Sequence, residues 1–102
     1  MALVRAVYEA TKTFPSEEFY GLTAQIRRSA VSIPSNIAEG AARSSDREFA
    51  HYLSIAKGSL SELETQLLIA VDLGYLEQGH SILSQIEEVS ALLFGLRRSI
   101  SK

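Results

Sequence analysis

The apolar positions of this chain recur in steps of three and four along almost its whole length. At about 100° per residue, that spacing lays each set along one side of a helix. Leu3, Val7, Ala10 and Phe14 form the first set. Phe14-Pro15-Ser16 ends it, because the residue before a proline avoids helical geometry. Leu22, Ile26, Ala30, Ile33 and Ile37 form the second. Phe49, Leu53, Ala56, Leu60, Leu63, Leu67 and Ala70 make an unbroken heptad seam, the signal of near-parallel helix packing. Ile82, Ile86, Val89, Leu93, Leu96 and Ile100 repeat the rhythm in the fourth. Helices are predicted near residues 2–13, 17–42, 45–74 and 77–100. Short connections between long helices imply antiparallel neighbours. The predicted fold is therefore all-α: an antiparallel up-down-up-down four-helix bundle, one domain over residues 1–102.

Local signals punctuate the pattern. Ser16 with Glu17 and Glu18, or Thr23 after Gly21, starts the second helix. Ser45 and Glu48 have capping-box spacing at the start of the third. Gly74, in Leu73-Gly74-Tyr75-Leu76, is placed to end it as a left-handed cap. Arg97, Arg98 and Lys102 suit the negative end of the fourth helix dipole. Pro34 sits inside the second helix, removes a backbone donor and crowds the carbonyl of Ala30, so a kink is predicted. The first helix is short for a bundle partner, and further N-terminal residues are expected.

Two helices carry small residues where charge is normal. Ala24, Val31, Ser35, Ala38 and Ala42 lie roughly opposite the core stripe of the second helix. A polar stripe of Gln25, Arg28, Ser32, Asn36, Glu39 and Arg43 separates the two sides. Ser54, Gly58, Ser61 and Thr65 lie away from the seam of the third. A water-facing helix ordinarily carries Lys and Glu there. Glycine inside a helix costs about 1 kcal/mol, so Gly58 calls for a reason. Two different small faces point to a heterologous contact between subunits, which closes into a ring when the rotation permits. A charged share of 22%, slightly under the typical value of about 25%, agrees with surface covered by assembly.

Candidate chemistry is sparse. Glu48 with His51, and Glu77 with His80, have the Glu-x-x-His spacing of di-metal bundles. At ~1.5 Å per residue an antiparallel pair would hold these motifs ~25 Å apart, too far to share a metal. No metal or other cofactor is expected. No serine, histidine and acid meet at a recognisable elbow, and the glycines Gly21, Gly40 and Gly58 are isolated rather than gathered into a phosphate loop. The chain is therefore read as non-enzymatic. It has no cysteine, which excludes disulfides and thiolate metal sites. No stretch reaches the ~18 to 20 apolar residues needed to span a membrane, and a cytoplasmic location is expected.

Net charge is −2, which gives no global attraction for nucleic acid. Its distribution is uneven. Arg27, Arg28, Arg43 and Arg47 make the N-terminal half the more basic, whereas residues 58–90 carry only acids, among them Glu62 and Glu64. The four arginines are candidate contacts for nucleic acid or a partner. Alternatively, Arg27 or Arg28 pairs with acids of the third helix, within or between subunits.

Specific motifs bear a resemblance. They are Phe14-Pro15, Gly21-Leu22-Thr23, Gln25-Ile26-Arg27-Arg28 and Val31-Ser32-Ile33-Pro34-Ser35-Asn36-Ile37-Ala38-Glu39-Gly40. Further along stand Ile55-Ala56-Lys57-Gly58-Ser59-Leu60, Glu62-Leu63-Glu64-Thr65-Gln66-Leu67 and Leu73-Gly74-Tyr75-Leu76. Together they resemble the four-helix-bundle family of the 23S rRNA intervening-sequence proteins over most of the chain. The resemblance implies a bacterial protein forming a ring-like homopentamer. The family is also similar to an accessory protein of diversity-generating retroelements, which implies a reverse transcriptase and RNA or DNA as partners. The chain differs in a shorter first helix and in not being notably basic. Two function classes follow: a self-assembling adaptor, or an autonomous RNA- or DNA-binding protein with a basic patch on helices two and three.

Overall fold

The computed structural model describes residues 2–100; Lys102 lies outside them. Four helices form, α1 Ala2–Thr11, α2 Leu22–Ala41, α3 Asp46–Asp72 and α4 Ser81–Ile100. A 3₁₀ turn, Ser16–Glu18, stands between α1 and α2. No strand occurs among the described residues. α1 packs on α2 and α4, and α3 packs on α2 and α4, so the four enclose one core. At about 1.5 Å per residue α3 spans about 40 Å, close to the molecule's longest dimension of 44 Å.

The core is the heptad seam and what meets it. Leu53, Ala56, Leu60, Leu63, Leu67 and Ala70 of α3 are buried, as are Ile26, Ala30 and Ile33 of α2. Val7 comes from α1, and Ile82, Ile86 and Leu93 from α4. Phe49, Ile37, Val89, Leu96 and Ile100 close the margins, partly buried. Each large aliphatic side chain taken from water contributes about 1.5–3 kcal/mol before the entropy of ordering it is counted.

Three helix ends differ from the sequence expectation. α1 stops at Thr11 rather than near residue 13. The Thr11 hydroxyl donates to the Val7 carbonyl at 2.8 Å, and a turn (Phe14 N–H to Thr11 carbonyl, 3.1 Å) tucks Phe14 back into the core. α2 starts at Leu22, not at residue 17. Tight i to i+3 bonds run from Glu18 N–H to the Pro15 carbonyl (2.9 Å) and from Gly21 N–H to the Glu18 carbonyl (3.0 Å), making a separate turn of this stretch. Its carboxylate substitutes for a cap: Leu22 N–H donates to Glu18 Oε1 at 3.2 Å, while the Tyr75 hydroxyl donates to Oε2 at 3.0 Å. α4 starts at Ser81 rather than residue 77, because His80 takes the cap position and its Nδ1 accepts the Ile82 N–H at 3.1 Å.

The other ends form as the residues dictate. Ser45 Oγ accepts the Glu48 N–H at 3.2 Å. The Ser45 hydroxyl, not its backbone N–H, answers the Glu48 carboxylate at 3.1 Å. At the end of α3, Gly74 takes φ +81°, and Tyr75 N–H reaches the Ala70 carbonyl at 2.9 Å. With Gly74 N–H on the Val71 carbonyl at 3.0 Å, this is the Schellman pattern.

α2 and α3 meet through a narrow seam. The Ser32 and Ser59 hydroxyls lie 2.8 Å apart, and Asn36 Nδ2 donates to Ser32 Oγ at 2.9 Å. Further along α2, Gly40 is buried against α3, and a Cβ there would stand 2.7 Å from Tyr52 Cβ. Only a residue without a side chain permits that approach.

Candidate assembly and partner surfaces

The small face of α3 is uncovered. Ser54, Gly58, Ser61 and Thr65 are all exposed, and nothing lies within 4 Å of where a Gly58 Cβ would stand. Apolar residues that the small-residue pattern passed over share this side: Ile55 and Ile69 are exposed beside Gly58 and Thr65. Seven-residue steps from Ile55 through Glu62 to Ile69 are the signal that would have located them.

The small face of α2 divides into two. Ala38 and Ala42, toward the helix C-terminus, are exposed. Ala24 and Val31 instead line a groove of about 570 Å³, together with Tyr8 of α1, Phe19 and Tyr20 after the 3₁₀ turn, and Arg28.

The four arginines also separate. Arg27 and Arg43 are sixteen residues apart on one helix and its immediate exit, about 24 Å at 1.5 Å per residue. They therefore form two sites rather than one continuous patch. Among the described residues Arg27 pairs with no carboxylate: its Nε donates to Thr11 Oγ1 at 2.9 Å, and its guanidinium lies 4.6 Å from the centroid of the Tyr8 ring. Arg28 is exposed. Among the described residues neither meets an acid of α3, so the pairing expected within the chain does not form.

Arg43 is committed to the α2–α3 corner. It bonds the Glu39 carboxylate, donates to the Tyr52 hydroxyl at 2.9 Å, and sits 5.1 Å from that ring's centroid. The Glu39 bond, then the field of Tyr52, holds the guanidinium above its ordinary pKa. Arg47 is exposed in the first turn of α3.

The histidines serve local ends. His80 caps α4, while His51 is exposed with its ring edge toward Tyr52, centroids 5.5 Å apart. Among the described residues no three His, Cys, Asp or Glu side chains gather into a metal site, and no helix is long and apolar enough to cross a membrane.

In comparisons with known proteins, the profile of the 23S rRNA-intervening sequence protein family matches residues 1–95. No curated protein matches the chain.

Proposed function

The chain belongs to the 23S rRNA-intervening sequence protein family, and from that premise we propose that it is a non-catalytic bundle that assembles with copies of itself into a ring and serves as an adaptor. The observation that carries this reading is the outward face of α3. Ile55 and Ile69 lie open there, and Gly58 between them has free space where a side chain would be. Glycine at mid-helix lowers helix stability, and no contact among the described residues requires it. Close approach of another backbone gives it a purpose.

The complementary surface is the exposed Ala38–Ala42 part of α2. Two unlike faces give a heterologous contact, and five-fold closure is the number the family resemblance implies. The same reading takes the connectivity as up-down-up-down. Ser32 of α2 meets Ser59 of α3, whereas Gly40, eight residues later, meets Phe49 and Tyr52 earlier in α3. It also bends α2 at Pro34. Ser35 donates to the Val31 carbonyl and Asn36 to the Ser32 carbonyl, both at 2.8 Å, and such back-bonding loosens a helix beside a proline.

Light-scattering mass tests the assembly. The parent should weigh a multiple of the 11.2 kDa chain, and Gly58→Leu and Ala38→Arg should each lower that mass while retaining helical circular dichroism. A monomeric parent at micromolar concentration, or variants of unchanged mass, would remove its basis.

A further inference from the structure

One surface is left unexplained by assembly through α3: the groove between α1, the 3₁₀ turn and α2. Two hollows, of about 570 and 500 Å³, share Phe19, Tyr20 and Arg27 and so run together. Among the described residues their walls hold three cations, Lys12, Arg27 and Arg28, and not one Asp or Glu. That is unusual in a chain of net charge −2.

The aromatic rings there are presented rather than packed away. Tyr20 is 91% exposed and Phe19 53%, with their rings edge to face at 4.9 Å between centroids. The segment that bears them is held. Phe19 N–H bonds the Ser16 carbonyl at 3.1 Å, and Glu18 fastens the turn both to α2 and to Tyr75. Arg27 is oriented by Thr11 and Tyr8 through its Nε and its face, which leaves its two terminal nitrogens without a bond among the described residues. Lys12 has a solvent-exposed pairing with Glu9 at 3.2 Å, of the kind salt or a competing anion displaces.

We propose that this groove binds single-stranded nucleic acid, with bases stacking on Phe19 and Tyr20 and phosphates held by Arg27, Arg28 and Lys12. Exposed rings beside cations whose charge is open to solvent are what a single strand requires, since every base has a π-face and every linkage a charge. A duplex keeps its bases stacked on each other and leaves the rings unused. An apolar peptide would gain nothing from three cations and would have to desolvate them. The site is independent of the α3 face, so its failure and the failure of assembly are read separately.

The experiment is fluorescence anisotropy of labelled oligouridine, oligothymidine and a hairpin duplex with the full-length protein. Single strands should bind more tightly than the duplex. Two to three phosphate contacts on a single strand should weaken binding about 7- to 20-fold between 50 and 200 mM salt. Tyr20→Ala removes one stacking platform and should weaken binding by about fivefold to a hundredfold, with circular dichroism unchanged because the ring makes little of the core. Arg28→Gln should lower the salt dependence by about one phosphate contact. Tighter oligouridine binding identifies RNA as the ligand, and tighter oligothymidine binding DNA; both support the site. Absence of binding at 50 mM salt with tens of micromolar protein overturns it. So does binding that Tyr20→Ala leaves unchanged, or a Tyr20→Ala variant that loses assembly mass while binding oligonucleotide like the parent; that last result would assign the groove to a second copy of the chain.

Discussion

The two ends of α2 use the same residue types to opposite effect. At the C-terminal end the glycine and the arginine are both engaged inside the chain. Gly40 lets α3 come close, and Arg43 ties Glu39 to Tyr52 across the corner. At the N-terminal end the arginines face a tyrosine, a threonine and solvent, and the aromatics Phe19 and Tyr20 remain uncovered. A count of arginines treats these ends alike. Arg27 and Arg43 both lie over a tyrosine ring; what separates them is whether a carboxylate lies within reach. Availability for a partner is thus a property of the surroundings.

Substitutions at each end should break this contrast unequally. Leu63→Ala, in the core that both ends share, sets the upper scale with a loss of about 2–5 kcal/mol in urea unfolding, because it leaves a cavity. An unaltered unfolding midpoint would contradict the seam. Gly40→Leu strikes only the closed corner. Its Cβ would meet Tyr52 Cβ at 2.7 Å, so the helices must part, at about 1–3 kcal/mol. A variant as stable as the parent would mean that the close approach is not needed.

At the open end, Glu18→Ala removes the acceptor for Leu22 N–H and for the Tyr75 hydroxyl. Loss of a cap of this kind costs about 0.5–2 kcal/mol. It should also free the Phe19–Tyr20 segment, read as faster amide exchange at residues 18–22 with the α2–α3 corner unaffected. Equal exchange at both ends would deny the turn its role.

The smallest effect is a titration. The Glu18 carboxylate accepts the Tyr75 hydroxyl hydrogen bond, and this, followed by burial, raises the phenol pKa above its ordinary value near 10. The neutral phenol is the form that the fold favours. Its contribution to stability is present below pH of about 10 and is lost as pH climbs through the raised folded value. Absorbance titration of the parent against Tyr75→Phe should place this phenol above its ordinary value, and Glu18→Gln should bring it down.

Much of this was legible in residue order. The heptads from Leu53 to Ala70 and from Ile82 to Leu93 mark the buried sides of α3 and α4, because a core selects for apolar groups at the helical repeat. Ser45, Glu48 and Gly74 mark helix ends because their hydrogen bonds close within a few residues. Candidate surfaces were less legible. Small residues at Ala24 and Val31 resemble those at Ala38 and Ala42, yet the first two line an open groove beside α1 and the turn before α2, with Val31 still exposed. Gly40 looked isolated because the residues that require it, Phe49 and Tyr52, lie on the next helix.

By itself, then, the order of residues determined what depends on neighbours a few positions away: four amphipathic helices, the two ends of α3, and the sides they bury. Tertiary structure alone decided what depends on distances across the bundle. It committed Arg43 to Glu39 and Tyr52 while leaving Arg28 exposed, and it fastened Glu18 to Tyr75, fifty-seven residues away, so that Phe19 and Tyr20 stand out from the surface. The physical reason is range. Helical periodicity and capping act within a turn or two, whereas the partners of a charge or ring are fixed only when separate helices pack.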